Sequence, residues 1–318
     1  MEVLLLYSSQ VNLYPFVCCL LSMKHSLSIT LILLGLFLLA QFIGIAILHN
    51  YIDISKSSEN GKMTFKELPI GERPQLEEKT SWVSIVFAIL LGTGFALLLI
   101  KYKLWLIWKI WFFIAGMVTL TVAFGAFVIP TIAFVLALVL ILWKILRPNF
   151  IVQTITELFV YGGLAAIFVP LFNLWSISIL LVLIAFYDAY AVWKSKHMVT
   201  LAKSQAEAKI FAGLLVPYSF KGVVQSAVKK PVVVEGRNVK KGRIAILGGG
   251  DIGFPLLFAG VVLKEFGLWQ SLVIPFFAAL GLGYLFWIAQ KKKFYPAMPF
   301  IGAGCFLGLG VVWVVSLI

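Results

Sequence analysis

The chain contains, at residues 244–262, the stretch IAILGGGDIGFPLLFAGVV, which is apolar enough to cross a bilayer but carries Asp251. The neighbouring apolar stretch toward the N-terminus, residues 175–193, carries Asp188. A charged side chain at the centre of a membrane helix costs about 2.5–3.5 kcal/mol on insertion scales, so carboxylates are found there mostly where they have a function. The two aspartates are therefore the first candidates for the chemistry of this protein.

The composition is that of a polytopic membrane protein. Of the 318 residues, 62% are hydrophobic and 12% are charged, whereas about 25% are charged in an ordinary soluble domain. Apolar runs of about 20 residues recur nearly from end to end and predict an all-α membrane domain. We predict nine transmembrane helices, at residues 26–48, 82–100, 105–127, 129–144, 151–170, 175–193, 244–262, 268–289 and 296–318.

The domain organisation follows from these runs. We expect residues 1–22 to be an N-terminal extension or a weakly ordered segment, because they form a mixed stretch without an N-terminal positive charge. Residues 23–193 then hold transmembrane helices 1–6, and residues 244–318 hold helices 7–9. The connection between them, residues 194–243, has two interpretations that stay open: a solvated cytosolic loop that only sets topology, or a segment whose β-prone residues 232–234 pair with an extended substrate.

The net charge of +13 does not indicate nucleic-acid binding, because the basic residues lie in short connections between apolar runs. If the N-terminus is cytosolic, 19 of the 26 Lys and Arg residues fall on the cytosolic side and six on the other. This distribution predicts a cytosolic N-terminus, an external C-terminus and a multi-pass protein of the cell membrane in contact with lipid.

Metal and cofactor chemistry is not indicated. The three cysteines and three histidines offer no spacing typical of a zinc site. Neither a His-Glu-x-x-His helix nor a Gly-x-Ser-x-Gly elbow is present in the sequence. We therefore predict no metal ion and no cofactor.

The two aspartates are expected at the same depth. Asp188 lies six residues before Lys194, and Asp251 lies eight residues after Arg243, so both should sit roughly 9–12 Å below the cytosolic face. If they face one another, repulsion between like charges opposes ionisation of both, and the pair shares a proton. Such a pair can hydrolyse a peptide bond, because one carboxylate takes a proton from water while the other carboxyl donates one to the carbonyl oxygen.

Small and aromatic residues surround the aspartates. Gly248, Gly249 and Gly250 precede Asp251 and leave room for another backbone to approach, although simple tight helix packing would need the same residues. Tyr187 could hydrogen-bond a carboxyl group or line a substrate path, or it could be an ordinary interfacial tyrosine.

With these motifs the sequence resembles the presenilin and signal-peptide-peptidase group of GxGD intramembrane aspartyl proteases. The resemblance is carried by Tyr187-Asp188 in the sixth span, Gly248 to Asp251 in the seventh, and Pro296-Ala297-Met298-Pro299 at the start of the ninth. It implies that Asp188 and Asp251 are the catalytic pair, supported by Tyr187, Gly248, Gly250, Pro296, Ala297 and Met298. The family usually has Leu where Met298 stands; this exchange keeps volume and polarity, so we expect function to survive.

The resemblance also implies the partners. The predicted topology matches the presenilin branch, whose substrates are single membrane helices with the N-terminus outside. The short connection between spans six and seven looks more like the archaeal homologues, which suggests action without accessory subunits and leaves a homo-oligomer open. The prolines at 296 and 299 predict an irregular segment, which membranes tolerate only where it is packed by protein or lines a cavity.

Two questions stay open. Glu157, in the fifth span, is either a third titratable group near the site or an interface-facing residue that snorkels to water; we favour a structural role, because no motif surrounds it. The main alternative function is a proton- or cation-coupled transporter or channel that uses Asp188 and Asp251 as relay carboxylates, although no inverted repeat is evident. A prepilin-peptidase-like enzyme is disfavoured, because Ile252 stands where such enzymes have a nearby Lys.

Overall fold

The computed structural model describes residues 27–53, 55–57, 63–74, 77–147, 149–195, 212–217, 244–289 and 295–317. The described chain is mostly helical, and its long helices follow the predicted apolar runs. They are α1 Leu27–Asn50, α2 Ser81–Lys101, α3 Trp105–Gly125, α4 Pro130–Leu146, α5 Phe150–Phe168, α6 Leu174–Tyr190, α7 Gly249–Phe266, α8 Leu268–Ile288 and α9 Met298–Ser316. A 3₁₀ turn, Val169–Leu171, follows α5, and a π-helical turn, Ala191–Ser195, follows α6. The helical class is confirmed.

Seven helices of the described part are long and apolar enough to cross a membrane. The other two fall short for different reasons: α4 has only 17 residues, and α7 carries three charged residues, Asp251, Lys264 and Glu265. Large apolar side chains are exposed along α2, α3 and α4, among them Phe87, Leu91, Leu106, Trp111 and Val135. The chain is therefore an integral multi-pass membrane protein, while a count of nine spans stays a prediction.

The predicted seventh span begins too early. Residues 244–248 form a strand, β2, which pairs antiparallel with β1, Gly213–Pro217, so that Gly248 lies opposite Gly213. The reason is local: Ile244 and Ile246 favour a strand, and consecutive glycines weaken a helix. Gly248 keeps an extended backbone (φ −65°, ψ 147°) as the N-cap of α7. Residues 1–22, residues 232–234 and most of the connection 194–243 lie outside the described part of the chain.

Helix α7 is the central helix of the domain. It packs against α1, α5, α6, α8 and α9, and its residues from Leu256 to Leu263 are all buried. Near its start, the Gln41 side-chain amide of α1 donates a hydrogen bond to the Ile252 carbonyl at 2.8 Å. At its other end, the Lys264 ammonium contacts the Glu78 carboxylate at 2.9 Å. Contacts at both ends fix α7 along its axis, which sets the position of Asp251 relative to the neighbouring helices.

Helices α8 and α9 pack unusually close together. A Cβ atom on Gly281 would overlap the Phe300 carbonyl, and one on Gly304 would overlap the Phe277 carbonyl. Small residues at these positions let the two backbones approach, as is common between membrane helices. This packing, together with contacts between α9 and α6, places the start of α9 beside the end of α6.

Candidate active site

Asp188 lies in the last turn of α6 and is buried. Its Oδ2 atom accepts a hydrogen bond from the Met298 backbone N–H at 3.0 Å, and the Ala297 backbone N–H also acts on this carboxyl group. Ala297 is the N-cap and Met298 the first residue of α9, where backbone N–H groups have no partner within the helix. Asp188 therefore caps a helix other than its own, and the start of α9 favours its negative charge.

Asp251 lies at the third position of α7, counted after the N-cap Gly248, and is buried. Its carboxyl group interacts with the Gly248 backbone N–H. An acidic side chain that reaches back from this position to the N-cap N–H forms half of a capping box. Both aspartates are thus held by backbone N–H groups at helix starts, Asp251 at its own helix and Asp188 at α9.

The structure brings the three sequence motifs together at one end of the domain. Helix α6 packs against α7 and against α9, and Asp188 lies within electrostatic reach of Asp251. The pair therefore lies at the meeting point of these three helices.

The third motif is irregular, as expected. Residues 295–297 are not helical, and α9 begins at Met298 with Pro299 in its first turn. The Pro296 and Met298 side chains are buried, and that of Ala297 is half-buried. Met298 contacts Asp188 through its backbone N–H. A backbone donor is the same for Leu and Met, which explains how this chain can depart from the usual residue.

The remaining predicted residues are placed as follows. Tyr187 is half-buried on α6, beside Asp188 in sequence. Gly250 is exposed, and a methyl group there would meet the Phe254 ring at 3.5 Å, an ordinary contact. Packing therefore does not demand glycine at 250. It does so at Gly249, where a Cβ atom would lie only 2.8 Å from the Tyr161 hydroxyl oxygen.

Glu157 does not snorkel to water, so that alternative is wrong. Its side chain is buried, forms an ion pair with Lys144, and accepts a hydrogen bond from the Tyr161 hydroxyl. The Gln153 side-chain amide donates to the same carboxylate at 3.2 Å. Lys144, counted among the cytosolic loop charges in predicting the orientation, is buried at the end of α4. The sequence offered one sign of this cluster, because Gln153, Glu157 and Tyr161 are four residues apart on one face of α5.

Potential metal ligands are dispersed. Among the residues that the structure describes, no group of three or more His, Cys, Asp or Glu side chains could hold a metal ion. Cys305 is buried in the apolar core.

A domain of apolar helices with two buried aspartates at one end has the architecture of an intramembrane aspartyl protease. Residues 28–318 match the family model described as signal-peptide peptidase, presenilin aspartyl protease, and the chain belongs to this family. It is accordingly an aspartic endopeptidase, as the sequence resemblance predicted. The transporter alternative has no support from this membership.

Solved structures share the fold of this chain. The structure of a presenilin family intramembrane aspartate protease in space group C222 has a TM-score of 0.58 and 18% identity, and the match covers 90% of this chain and 99% of that chain. One in space group P2 has a TM-score of 0.55 and 18% identity, covering 89% and 96%. A comparison with curated proteins found no significant match.

Proposed function

We propose that Asp188 and Asp251 are the catalytic dyad with which this protease hydrolyses peptide bonds in or near the transmembrane helices of single-span proteins. The observation that carries the proposal is the burial of both carboxyl groups where α6, α7 and α9 pack together, within electrostatic reach of each other. Two such groups cannot both ionise easily, so they share one proton.

The shared proton provides an acid and a base together. The ionised carboxylate takes a proton from water, whose oxygen bonds to the scissile carbonyl carbon, while the protonated carboxyl group donates its proton to the carbonyl oxygen. In the second step the two aspartates exchange roles: the newly protonated one gives its proton to the nitrogen of the gem-diol intermediate, and the ionised one takes a proton from a hydroxyl group of that intermediate. The carbon–nitrogen bond breaks, the products are a carboxylic acid and an amine, and the dyad again holds one proton. No covalent intermediate with the enzyme is required.

The backbone donors orient the dyad. The Met298 N–H holds one Asp188 oxygen, and the Gly248 N–H acts on Asp251. Hydrogen bonds to charged groups are worth about 1.5–3 kcal/mol each. They stabilise the carboxylate form of whichever aspartate acts as base, without a side chain that would compete for the proton.

We also propose that the substrate binds in extended form beside the dyad. A peptide bond in a helix is shielded by its own turn, so the helix must open before attack. The predicted pairing at residues 232–234 lies outside the described part of the chain, and we propose the same role for β2, which ends at Gly248. Each strand of a two-stranded sheet has an outer edge whose backbone groups can pair with another chain.

The expected topology completes the proposal. The distribution of Lys and Arg favours a cytosolic N-terminus, an external C-terminus and nine spans in the cell membrane. The dyad then lies near the cytosolic face, and the substrate enters with its N-terminus outside.

The test is cleavage of single-span substrates by the purified protein in liposomes. We expect Asp188→Ala and Asp251→Ala each to lower the rate by at least about 10³-fold, while Asp53→Ala, which changes an aspartate outside the helices, leaves it unchanged. Wild-type rates in either dyad variant would refute the assignment. Ion flux that depends on both aspartates, without cleavage, would favour the transporter alternative.

A further inference from the structure

A cluster of polar side chains, Lys144 of α4 with Gln153, Glu157 and Tyr161 of α5, is not part of the dyad. Lys144 of α4 pairs with Glu157 of α5, and these two side chains are only 5% and 2% exposed. Glu157 in turn accepts the Tyr161 hydroxyl hydrogen. The Lys144 ammonium also lies 4.8 Å from the centre of the Phe112 ring. The polar cluster thus extends from a cation at the end of α4 to a tyrosine in the middle of α5.

The tyrosine end of the polar cluster contacts Gly249 in the first turn of α7, two residues before Asp251. The Tyr161 hydroxyl oxygen and Cε1 atom lie 2.8 Å and 3.2 Å from the position of a Cβ atom on Gly249. Tyr161 also interacts electrostatically with Asp251. Tyr161 of α5 therefore occupies the space that a side chain at position 249 would need.

The opposite side of the turn is held by the same cluster. The Gly249 N–H donates to the Ala212 carbonyl at 3.3 Å. The next carbonyl, that of Gly213, accepts a hydrogen bond at 3.1 Å from Gln153, which also donates to Glu157. Glu157 consequently anchors the turn on two sides, through Tyr161 on one and through Gln153 and β1 on the other.

Stability alone is a weak explanation for such a cluster. Replacing a buried ion pair by well-packed apolar side chains is often neutral or even stabilising. What an apolar replacement would lose is direction, because Glu157 fixes both the Tyr161 hydroxyl and the Gln153 amide in one orientation. That orientation is passed to Gly249, two residues before Asp251.

We propose that Tyr161 is a positioning residue for catalysis: Glu157 and Lys144 hold its hydroxyl against Gly249, and this contact sets the direction in which α7 presents Asp251 to Asp188. The inference rests on the proposed function of the two aspartates. Tyr161 acts through the backbone, since its hydroxyl donates to Glu157, and it is therefore not itself a catalytic residue.

The first experiment removes the hydroxyl and keeps the ring. Tyr161→Phe should lower kcat by about tenfold while KM stays close to the wild-type value, because a small misplacement of a reacting group slows the reaction strongly. The variant also loses a hydrogen bond to a buried carboxylate and should lower Tm, so kcat is compared at a temperature at which all variants are folded. The matched control is Tyr51→Phe, which removes another buried hydroxyl, one that donates to the Val122 carbonyl at 2.8 Å, and should leave kcat unchanged. Equal kcat in wild type and Tyr161→Phe would overturn the proposal.

The second experiment tests the contact by rescue. Gly249→Ala inserts a methyl group against the Tyr161 hydroxyl and should lower kcat, whereas Gly253→Ala, whose methyl group would lie 3.9 Å from Tyr161 Cδ1, should not. Adding Tyr161→Phe to Gly249→Ala removes the closest clash and should restore part of the lost kcat. If the two losses of kcat multiply in the double variant, the two residues are not energetically coupled, and the proposal fails.

A third measurement reads the geometry without catalysis. Cysteines replace both aspartates, as Asp188→Cys and Asp251→Cys, in a background of Cys18→Ser, Cys19→Ser and Cys305→Ala. A short bifunctional thiol reagent then links the two cysteines. Cleavage at a protease site inserted between residues 218 and 243 separates the chain into two fragments unless the cross-link holds them together. Tyr161→Phe should slow cross-linking by at least about threefold, and Tyr51→Phe should not. An unchanged cross-linking rate would overturn the inference.

These experiments separate the inference from the proposed function. If either dyad variant cleaves at the wild-type rate, the proposed function fails, whatever Tyr161→Phe does. If cleavage depends on both aspartates but not on Tyr161, only the inference fails. If the wild type cleaves none of the single-span substrates that are tried, the cross-linking rate still decides the inference.

Discussion

Breaking the buried ion pair at Lys144 should destabilise the fold strongly. Loss of one partner of a buried pair costs about 3–5 kcal/mol, because the other charge stays buried without compensation. In Lys144→Met, Glu157 keeps donors in Tyr161 and Gln153, so we expect a loss of about 3 kcal/mol. In Glu157→Gln, the partners of the ammonium among the described residues are a neutral amide and the Phe112 ring. The attraction of the ring is worth about 0.5–2 kcal/mol, so we expect a loss of about 4 kcal/mol.

The double variant gives the sharper prediction. With both charges removed, the neutral amide that replaces the Glu157 carboxylate can still accept the Tyr161 hydroxyl hydrogen, and methionine fills much of the volume of the lysine. We therefore expect Lys144→Met/Glu157→Gln to lie within about 1 kcal/mol of wild type, less than either single variant loses. The free energy of unfolding is measured by SDS titration in mixed micelles. The control is Lys56→Met, which removes an ion pair of 4.0 Å with a 67% exposed lysine and should cost less than about 1 kcal/mol.

Two outcomes would refute this reasoning. If Lys144→Met is as stable as Lys56→Met, removing the ammonium leaves no uncompensated buried charge on Glu157, and water must reach the pair. If the double variant loses the sum of the two single losses, the two charges are not coupled, and the ion pair does not exist in solution.

Three further predictions concern packing, the third motif and pH. Gly304→Ala should cost about 1–3 kcal/mol of unfolding free energy, because its methyl group meets a carbonyl of α8, while Gly302→Ala on the same helix, with 3.6 Å to its nearest neighbour, should cost little. Met298→Leu should keep kcat within about twofold of wild type in the cleavage assay, because the donor to Asp188 is a backbone N–H. Burial raises the pKa of Tyr51 to about 12, so its contribution to stability is present below pH ~10 and is lost as the pH rises toward ~12; denaturation series should show this loss in wild type and not in Tyr51→Phe.

The helices were predictable because hydropathy alone marks them. Apolar runs bounded by charged or polar residues predicted nine segments, and each contains most of one described helix. The exception is informative: residues 244–248 are as apolar as a membrane helix, but they form a strand. Hydropathy measures compatibility with lipid and says nothing of backbone conformation, so the change at Gly249 had to be inferred from glycine, which does not distinguish a helix start from a strand end.

The aspartates were predictable as a pair, whereas the ion pair between Lys144 and Glu157 was not. Asp188 and Asp251 precede and follow one connection, so their depth can be counted along the chain. Lys144 and Glu157 lie on different helices, and whether they meet depends on the rotation of α4 against α5. A run of apolar residues carries no information about this rotation. A charge near the end of an apolar run has the same appearance in sequence whether it faces water or a buried partner.

The site is built from helix ends, and this follows from the membrane. Inside an apolar bilayer the body of a helix has no free donors, since each N–H bonds to the carbonyl four residues earlier. Free N–H groups exist only at helix starts, and the chain uses three of them, at Gly248 for Asp251 and at Ala297 and Met298 for Asp188. A helix start placed below the membrane surface needs a partner for these donors, and a carboxylate there needs donors. Each requirement satisfies the other, so a buried acid pair can be maintained without basic side chains, which would otherwise hold both carboxyl groups ionised and remove the proton that hydrolysis needs.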